Sequence, residues 1–296
     1  MQSDEQQARA RLHAALGMPF EMSRREARWL ALSGDQIAFA ADDDIAWRRL
    51  ELEGWLLARW RAAGVPAPRI VREDARQRVQ VRERLHGLSG TEIHCEWAAS
   101  PLYPGELPDV WSRLDDAPLS TFGERVAAGY GELAARIRSA VSVVDASAAG
   151  LGLTSRRTID IDDAIARLQV SEGSTAAKVA AVRARDWLVA LPPPDAVIHA
   201  DLHFFNFCVA PDGSITGVFD LGDAGIDTAA QDLSHVYSLG SRFAAIAFEA
   251  YGPVDVEHVR RAHLRSALDH VLSHGPGTPR HAGIIEWTTA AFERLL

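Results

Sequence analysis

The sequence predicts an α+β protein with two lobes, in which a small N-terminal antiparallel sheet with one helix precedes a larger, mainly helical lobe. Two observations lead to this fold class. Over the first 88 positions, short apolar runs alternate with polar residues and end at turn residues, which is typical of strands. Beyond that point, apolar residues recur at helical spacing over long segments. We therefore expect a first lobe over residues 1–88 and a second over residues 89–296, joined near the hinge-like "HGLSG" (86–90).

The first lobe begins with a polar helix. The runs "ARWLAL" and "QIAFAA" flank the turn-like "SGD", which predicts a hairpin. Residues 45–62, "IAWRRLELEGWLLARWRA", have apolar positions at helical spacing and predict the helix of this lobe. "GVPAPRIV" then breaks that helix and enters a strand, and the alternation of "RVQVRERL" predicts another strand.

The second lobe is predicted to be mostly helical. Helices are expected at 122–142, 160–169 and 176–190, and "LPPPD" ends the third of these. From Asp232 onward the chain again has a helical pattern, which is interrupted at 275–279 by "GPGTP". A connection as long as 98–118 is usually functional or mobile, so we expect it to cover a cleft.

Composition excludes several classes of protein. With 47% hydrophobic and 24% charged residues, the 296-residue chain is expected to be soluble and globular. No apolar run reaches the roughly 18 residues of a transmembrane helix, and the polar N-terminus lacks the apolar segment of a signal peptide. Its two cysteines, Cys95 and Cys208, lie far apart, which argues against a zinc site or a disulfide framework and favours the cytoplasm.

Charge is distributed unevenly between the two predicted lobes. Residues 1–88 contain 15 arginines and 13 acidic residues, whereas residues 89–296 contain 16 basic and 27 acidic residues. The acidic second lobe argues against nucleic acid as a partner. It either attracts cationic ligands or serves only to keep the protein in solution.

The stretch 197–207, "VIHADLHFFNF", places Asp201 and Asn206 among apolar residues. A carboxylate in such surroundings is costly unless hydrogen bonds, a metal or a function compensates. The next residues predict a hairpin in which "FCVA" and "ITGVF" are joined at "PDGS". If Ala210 pairs with Ile215, Asn206 lies opposite Phe219 and one step from Asp220. An amide and a carboxylate oxygen at one point suit Mg²⁺, which commonly completes its coordination with phosphate oxygens and water.

Three motifs in order, "HADLHFFN", "FDLGDAG" and "QDLSH", resemble the aminoglycoside phosphotransferase family of small-molecule kinases, which are related in fold to the eukaryotic protein kinases. This resemblance implies that Asp201 is the catalytic aspartate that orients the acceptor hydroxyl. It also implies that Asn206 and Asp220 bind Mg²⁺, with ATP or GTP as the phosphoryl donor and a small molecule as the acceptor. His199 is expected to be structural, although a lone His-x-Asp is a weak signal.

The first lobe resembles the family less well. Glu53 in "LELEGWLL" resembles the helix glutamate whose partner is normally a lysine on the third strand, and the matching position here is Ala40. No lysine precedes Lys178, and the turn "SRREAR" (23–28) replaces a glycine-rich phosphate loop. Glu53 is therefore expected to lack its usual ion-pair partner. Either arginines supply the phosphate contacts or they are solvated surface charges; the candidates are Arg24, Arg25, Arg48 and Arg49.

Three further aspartates follow the hairpin. Asp223 and Asp227 either face a cationic substrate or cap the next turn, and both interpretations stay open. Asp232 is expected to anchor the start of a helix rather than to take part in the chemistry.

Three functions are compatible with this sequence. The first is an ATP- or GTP-dependent kinase that acts on an antibiotic-like amino sugar or macrolide. The second is a metabolite kinase of the same fold, acting on homoserine, choline or a sugar. The third is an inactive relative that binds a ligand without turning it over. Intact Asp201, Asn206 and Asp220 favour the first two, whereas the missing lysine favours the third.

No membrane or nucleic-acid partner is expected. The acidic second lobe, including Asp115 and Asp116 in its first connection, favours an amine-bearing acceptor.

Overall fold

A computed structural model describes residues 4–25, 27–88, 119–150, 152–155, 158–278 and 280–296. The end of the predicted hinge, the connection 98–118, Cys95, and Asp115 with Asp116 lie outside these residues. The helices are α1 (Asp4–Leu16), α2 (Asp44–Ala62), α3 (Thr121–Ala140), α4 (Val143–Ala148), α5 (Ile161–Val170), α6 (Thr175–Arg183), α7 (Arg185–Val189), α8 (Ser241–Tyr251), α9 (Val256–Ser273) and α10 (His281–Leu295). The strands are β1 (Glu21–Arg25), β2 (Arg28–Ser33), β3 (Gln36–Ala41), β4 (Ile70–Asp74), β5 (Val79–Glu83), β6 (Thr154–Ser155), β7 (Ala196–Ile198), β8 (Phe207–Val209), β9 (Ile215–Val218) and β10 (Gly225–Asp227).

The N-terminal region is an antiparallel sheet of five strands in the order β1-β2-β3-β5-β4. The predicted hairpin is present, with Ser33 opposite Gln36 at its turn. Strand β1 was not predicted, because "EMSRR" is polar and mostly exposed and therefore lacks the apolar alternation of a half-buried strand.

Helices cover both faces of this sheet. Helix α1 packs on one face, where Ala8 and Leu12 share an apolar cluster with Ala40. On the other face, Trp47 and Leu50 of α2 cluster with Phe39. Because side chains alternate along a strand, neighbouring residues of β3 contact different helices.

The C-terminal region is mainly helical, as predicted. Its larger apolar core joins α3 and α8 with the short strands, and a second core joins α5, α6, α7, α9 and α10. The helix predicted at 176–190 is in fact two helices, because α6 ends and α7 begins at Ala184. No helix in the described ranges is long and apolar enough to cross a membrane.

Two small sheets complete the C-terminal region: β6-β10-β7 and the hairpin β8-β9. At the open end of the hairpin the predicted register is correct, because Phe207 lies opposite Val218 and the Phe219 N–H donates to the Asn206 carbonyl at 3.0 Å. Nearer the turn the register shifts at an irregularity, and Ile215 pairs with Val209 instead of Ala210. Such a shift leaves the open end, where the polar residues lie, unchanged.

Candidate active site

The loop that follows β7, residues 199–206, has an unusual backbone conformation. Ala200 has a φ of 70°, a left-handed conformation that costs a residue with a Cβ roughly 1–2 kcal/mol. The Asp232 carboxylate holds this turn, since it accepts hydrogen bonds from the N–H groups of His199 at 3.0 Å and Ala200 at 2.8 Å. The expectation that Asp232 anchors a helix start is therefore wrong. Its carboxylate fixes the 199–206 loop instead.

Two buried side chains connect this loop to its surroundings. The His199 ring is fully buried, stacks on Trp60 and donates from Nε2 to the Phe219 carbonyl at 2.8 Å. These contacts are those of a structural residue. The Tyr130 hydroxyl lies 2.7 Å from the carbonyl oxygens of both Leu202 and Asp232, so α3 supports the loop from its other side.

Asp201 lies at the centre of a polar cluster. The Asn206 amide donates from Nδ2 to the Asp201 carbonyl at 2.8 Å and to Oδ2 at 2.9 Å. His203 Nε2 lies 3.3 Å from Oδ2, and His235 Nε2 lies 3.7 Å from Oδ1. Burial raises the pKa of Asp201, but the hydrogen bond and charge of His203, together with the other two histidines, His235 and His199, lower this pKa well below its usual range. Asp201 is therefore ionised at neutral pH.

His235 is the buried member of this cluster. Burial lowers the pKa of His235 to about 3, so its imidazole is neutral at pH 7. Its Nδ1 has no hydrogen-bond partner in the part of the chain that the structure describes. One oxygen of the Asp201 carboxylate therefore lies beside an uncharged imidazole ring.

Asn206 and Asp220 both lie at the open end of the β8-β9 hairpin, where Phe219, the residue before Asp220, bonds to the Asn206 backbone. The Asn206 amide nitrogen donates to Asp201, which leaves the amide oxygen to coordinate a metal ion or to accept a hydrogen bond. Asp220 has a left-handed backbone with φ 61°, and its side chain is 55% exposed. Among the described residues no group of three or more His, Cys, Asp or Glu side chains could hold a metal. One amide and one carboxylate oxygen still fit Mg²⁺, which usually takes one or two protein carboxylates and completes its shell with phosphates and water.

Glu53 has two cationic partners. Its carboxylate, on a residue only 1% exposed, accepts from Arg28 Nη1 at 2.7 Å and from Arg82 Nη2 at 2.7 Å. Burial raises the pKa of Glu53, but the two arginines more than reverse this effect and lower it. Glu53 thus lacks its usual lysine partner, as expected, but it is not unpaired, because strands β2 and β5 supply arginines.

The match of Ala40 to the position of the lysine is wrong. Ala40 is fully buried in the cluster beneath α1, on the face of the sheet away from α2. Its neighbour Phe39 lies on the α2 face, where the guanidinium groups of Arg28 and Arg82 lie 5.3 Å and 4.6 Å from the ring centroid. The alternation of side chains in β3 accounts for the difference, since one step along a strand changes the face.

The four arginines named from the sequence lie in different surroundings. Arg49 donates from Nε and Nη2 to the Gly222 carbonyl and so connects α2 to the segment after β9. Arg24 pairs with Asp42 at 2.9 Å, Arg25 borders the larger of the two cavities described next, and Arg48 is exposed on α2.

Two cavities meet beside these polar groups. One has a volume of about 1000 Å³ and has Glu53 and Asp220 in its wall. The other has a volume of about 480 Å³ and has Asp201 in its wall. The residues that border both are Arg49, Gly222 and Asp223. A molecule in one cavity would therefore be adjacent to a molecule in the other, as transfer of a group between them requires.

The two aspartates named as substrate candidates both border the smaller cavity. Asp223 belongs to both cavities. Asp227 is 9% exposed, and its Oδ1 accepts from the N–H of Thr228 at 2.6 Å. The structure therefore combines the two interpretations at Asp227, which bonds the following turn and also borders the cavity.

The residues that the sequence analysis missed are Arg28, Arg82, Tyr130 and His235. A signal existed for the two arginines: period-two alternation puts Arg28 on the face of Leu30, and Arg82 on the face of Gln80. Tyr130 and His235 carry no local signal, because their contacts with the 199–206 loop join segments that are distant in sequence.

Comparison with known proteins places the chain among phosphotransferases. The sequence model of the phosphotransferase enzyme family matches residues 48–264. Among solved structures, the macrolide 2'-phosphotransferase type I is similar with a TM-score of 0.59 and 16% identity, covering 100% of this chain and 98% of that one. Aminoglycoside phosphotransferase APH(2'')-Ib with ADP bound gives a TM-score of 0.61 and 12% identity, covering 96% and 98%.

A choline/ethanolamine kinase family protein from Mesorhizobium loti is also similar, with a TM-score of 0.58, 18% identity, and coverage of 99% of this chain and 94% of that one. Identities this low show a shared fold. No curated protein matches the sequence.

Proposed function

Because the chain belongs to the phosphotransferase enzyme family, we propose that it transfers the γ-phosphoryl group of ATP or GTP to a hydroxyl of a small, amine-bearing acceptor. One observation carries this proposal. The cavity with Asp220 in its wall and the cavity with Asp201 in its wall adjoin at Gly222. In the proposed arrangement the nucleotide occupies the larger cavity and the acceptor occupies the smaller one.

The ionised Asp201 carboxylate accepts a hydrogen bond from the acceptor hydroxyl and orients its oxygen toward the γ-phosphorus. A bond forms between these two atoms as the bond from the γ-phosphorus to the β,γ-bridging oxygen breaks, and the hydroxyl proton passes to Asp201 or to solvent. Mg²⁺, when bound by Asn206 and Asp220, neutralises phosphate charge. Such transfer depends mainly on positioning and charge, which the hydrogen bonds of the 199–206 loop provide.

The wall of the smaller cavity supports an amine-bearing acceptor. Its carboxylates are Asp201, Asp223, Asp227 and Asp269, and its arginines are Arg49, Arg261 and Arg265. Each arginine donates to a backbone carbonyl: Arg49 to Gly222, Arg261 to Ala190 and Arg265 to Leu188. Four carboxylates against three arginines leave an excess of negative charge in this wall, which favours a cation.

The similar structures are consistent with this chemistry. Their names include a macrolide phosphotransferase, an aminoglycoside phosphotransferase and a choline/ethanolamine kinase family protein, and aminoglycosides, choline and ethanolamine each combine an amine or ammonium group with a hydroxyl. An amino sugar or macrolide is the first candidate acceptor, and a choline-like amino alcohol is the second. The ion pairs of Glu53 count against an inactive relative, since the missing lysine is replaced by arginines.

The test is an acceptor panel. Aminoglycosides, macrolides, choline-like amines and neutral sugars are assayed for nucleotide consumption with Mg-ATP and Mg-GTP, at low and high salt. We expect turnover only with amine-bearing acceptors and a KM that rises with salt, because salt screens exposed charges beyond about 8 Å. Turnover restricted to neutral sugars, or a KM independent of salt, would contradict the proposed acceptor class. Absence of nucleotide binding would instead favour the inactive relative.

A further inference from the structure

The Glu53 carboxylate is paired with one more cation than it needs. Arg82 alone balances its charge: the Arg82 side chain is 5% exposed and donates to Glu53 at 2.7 Å and to Gln80 Oε1 at 2.6 Å. Every one of these contacts is internal to the N-terminal region. Arg82 is therefore the structural counter-charge of Glu53.

Arg28 differs from Arg82 in both exposure and direction. Both side chains border the larger cavity, but that of Arg28 is 21% exposed whereas that of Arg82 is only 5% exposed. Glu53 holds Nη1, whereas Nη2 lies 3.8 Å from Asp220 Oδ1, which is too far for a direct hydrogen bond. The guanidinium thus lies between a buried carboxylate that orients it and the aspartate proposed to bind metal.

We propose, on the basis of the proposed function, that Arg28 binds the nucleotide phosphates and so takes over the task of the absent lysine from a different strand. With Glu53 already balanced by Arg82, the charge of Arg28 is offset only by Asp220 at 3.8 Å, which leaves Nη2 without a short hydrogen bond to either carboxylate and able to turn to an anionic ligand. Arginine also presents paired N–H donors that match two phosphate oxygens, and it stays charged at every physiological pH.

The neighbouring arginines are less suitable for this role. Arg24 is paired with Asp42 at 2.9 Å and lies over Trp29, and Arg49 is bonded to the Gly222 carbonyl. Neither is held by Glu53. Arg28 alone among the three combines an oriented guanidinium with a position next to Asp220.

The experiment compares Arg28→Met, which keeps an apolar stem over Phe39, with Arg28→Lys, which also keeps the charge. Arg136→Met is the matched control, because Arg136 is an exposed surface residue on α3 that pairs with Glu132. Calorimetry measures the dissociation constants of Mg-ATP, Mg-GTP, and the corresponding nucleosides adenosine and guanosine, which lack phosphate. For whichever nucleotide binds the wild type, we expect Arg28→Met to raise the dissociation constant by tenfold or more, about 1.4 kcal/mol. The dissociation constant of the corresponding nucleoside should stay within twofold of the wild-type value. Arg28→Lys should retain part of the affinity.

The outcomes separate this inference from the proposed function. Equal loss of nucleotide and nucleoside binding in Arg28→Met would mean that Arg28 only maintains the cleft, and an unchanged nucleotide affinity would also overturn the inference while the proposed function stands. If wild type bound neither nucleotide, the proposed function itself would fail, and the inference with it.

Discussion

Two buried carboxylates, Glu53 in the N-terminal region and Asp232 in the C-terminal region, are satisfied in opposite ways. Asp232 is 2% exposed and accepts two backbone N–H groups, and burial raises its pKa to about 6. Glu53 is equally buried, yet its two arginines lower its pKa. Neutral donors therefore do not offset the loss of solvent at Asp232, whereas cations do so at Glu53.

The difference corresponds to what each carboxylate organises. Asp232 shapes a backbone, since it supports the left-handed Ala200 from which the 199–206 loop begins. Glu53 orients the side chains of Arg28 and Arg82, and it holds Arg28 beside Asp220. The C-terminal region thus fixes a loop through backbone hydrogen bonds, whereas the N-terminal region fixes two cations around one carboxylate.

The largest expected effect tests the 199–206 loop. Asp201→Asn should reduce kcat by about 10²–10⁴, because the acceptor hydroxyl loses its ionised partner, and should leave nucleotide affinity unchanged. Asp220→Ala should instead abolish Mg²⁺-dependent nucleotide binding. Steady-state kinetics and titration of nucleotide with and without Mg²⁺ measure both. Wild-type turnover by Asp201→Asn would refute the catalytic role of Asp201.

The next largest effect is expected on stability, when either of the two carboxylates is replaced by its amide. Glu53→Gln leaves two guanidinium groups without their anion and should reduce the free energy of unfolding by roughly 3–5 kcal/mol. Asp232→Asn retains one acceptor oxygen for two N–H groups and should reduce it by about 1–3 kcal/mol at pH 7. Urea denaturation of both variants measures this ranking. Equal losses would mean that cationic and backbone donors stabilise the two sites alike.

The smallest effect concerns pH, and its sign differs between the two sites. The pKa of Asp232 is raised from 3.8 to about 6, so its contribution to stability is fully present below 3.8 and is lost as pH rises through 6. This dependence follows from the linkage between protonation and folding. The pKa of Glu53 is lowered from 4.5, so its contribution is present above 4.5 and is lost as pH falls further.

Asp232→Asn should consequently cost more stability at pH 4 than at pH 7, and Glu53→Gln should cost less below pH 4.5 than at pH 7. Urea denaturation of wild type and both variants across this range, within the limits of reversible unfolding, gives the two differences directly. A cost of Asp232→Asn that does not change with pH would show that Asp232 keeps an ordinary pKa in the folded protein.

Local sequence patterns predicted most of the helices and strands and the short-range part of the site. Helical spacing and turn residues located α2, the β2-β3 hairpin and the β8-β9 hairpin. Asp201, Asn206 and Asp220 could be named together because a short loop and one hairpin set their separation. Patterns of this kind are local, and the open end of the hairpin keeps its register despite the shift near the turn.

Which charges meet depends on long-range contacts that no local sequence pattern contains. Glu53 takes its partners from strands 25 and 29 residues away, and whether a strand residue faces α1 or α2 changes with a single step, as Ala40 and Phe39 demonstrate. The same holds for Asp232, whose carboxylate reaches the backbone at Ala200 from 32 residues away. Such pairings follow from how strands and helices pack around buried charge, because a carboxylate removed from water is stable only where folding brings donors to it.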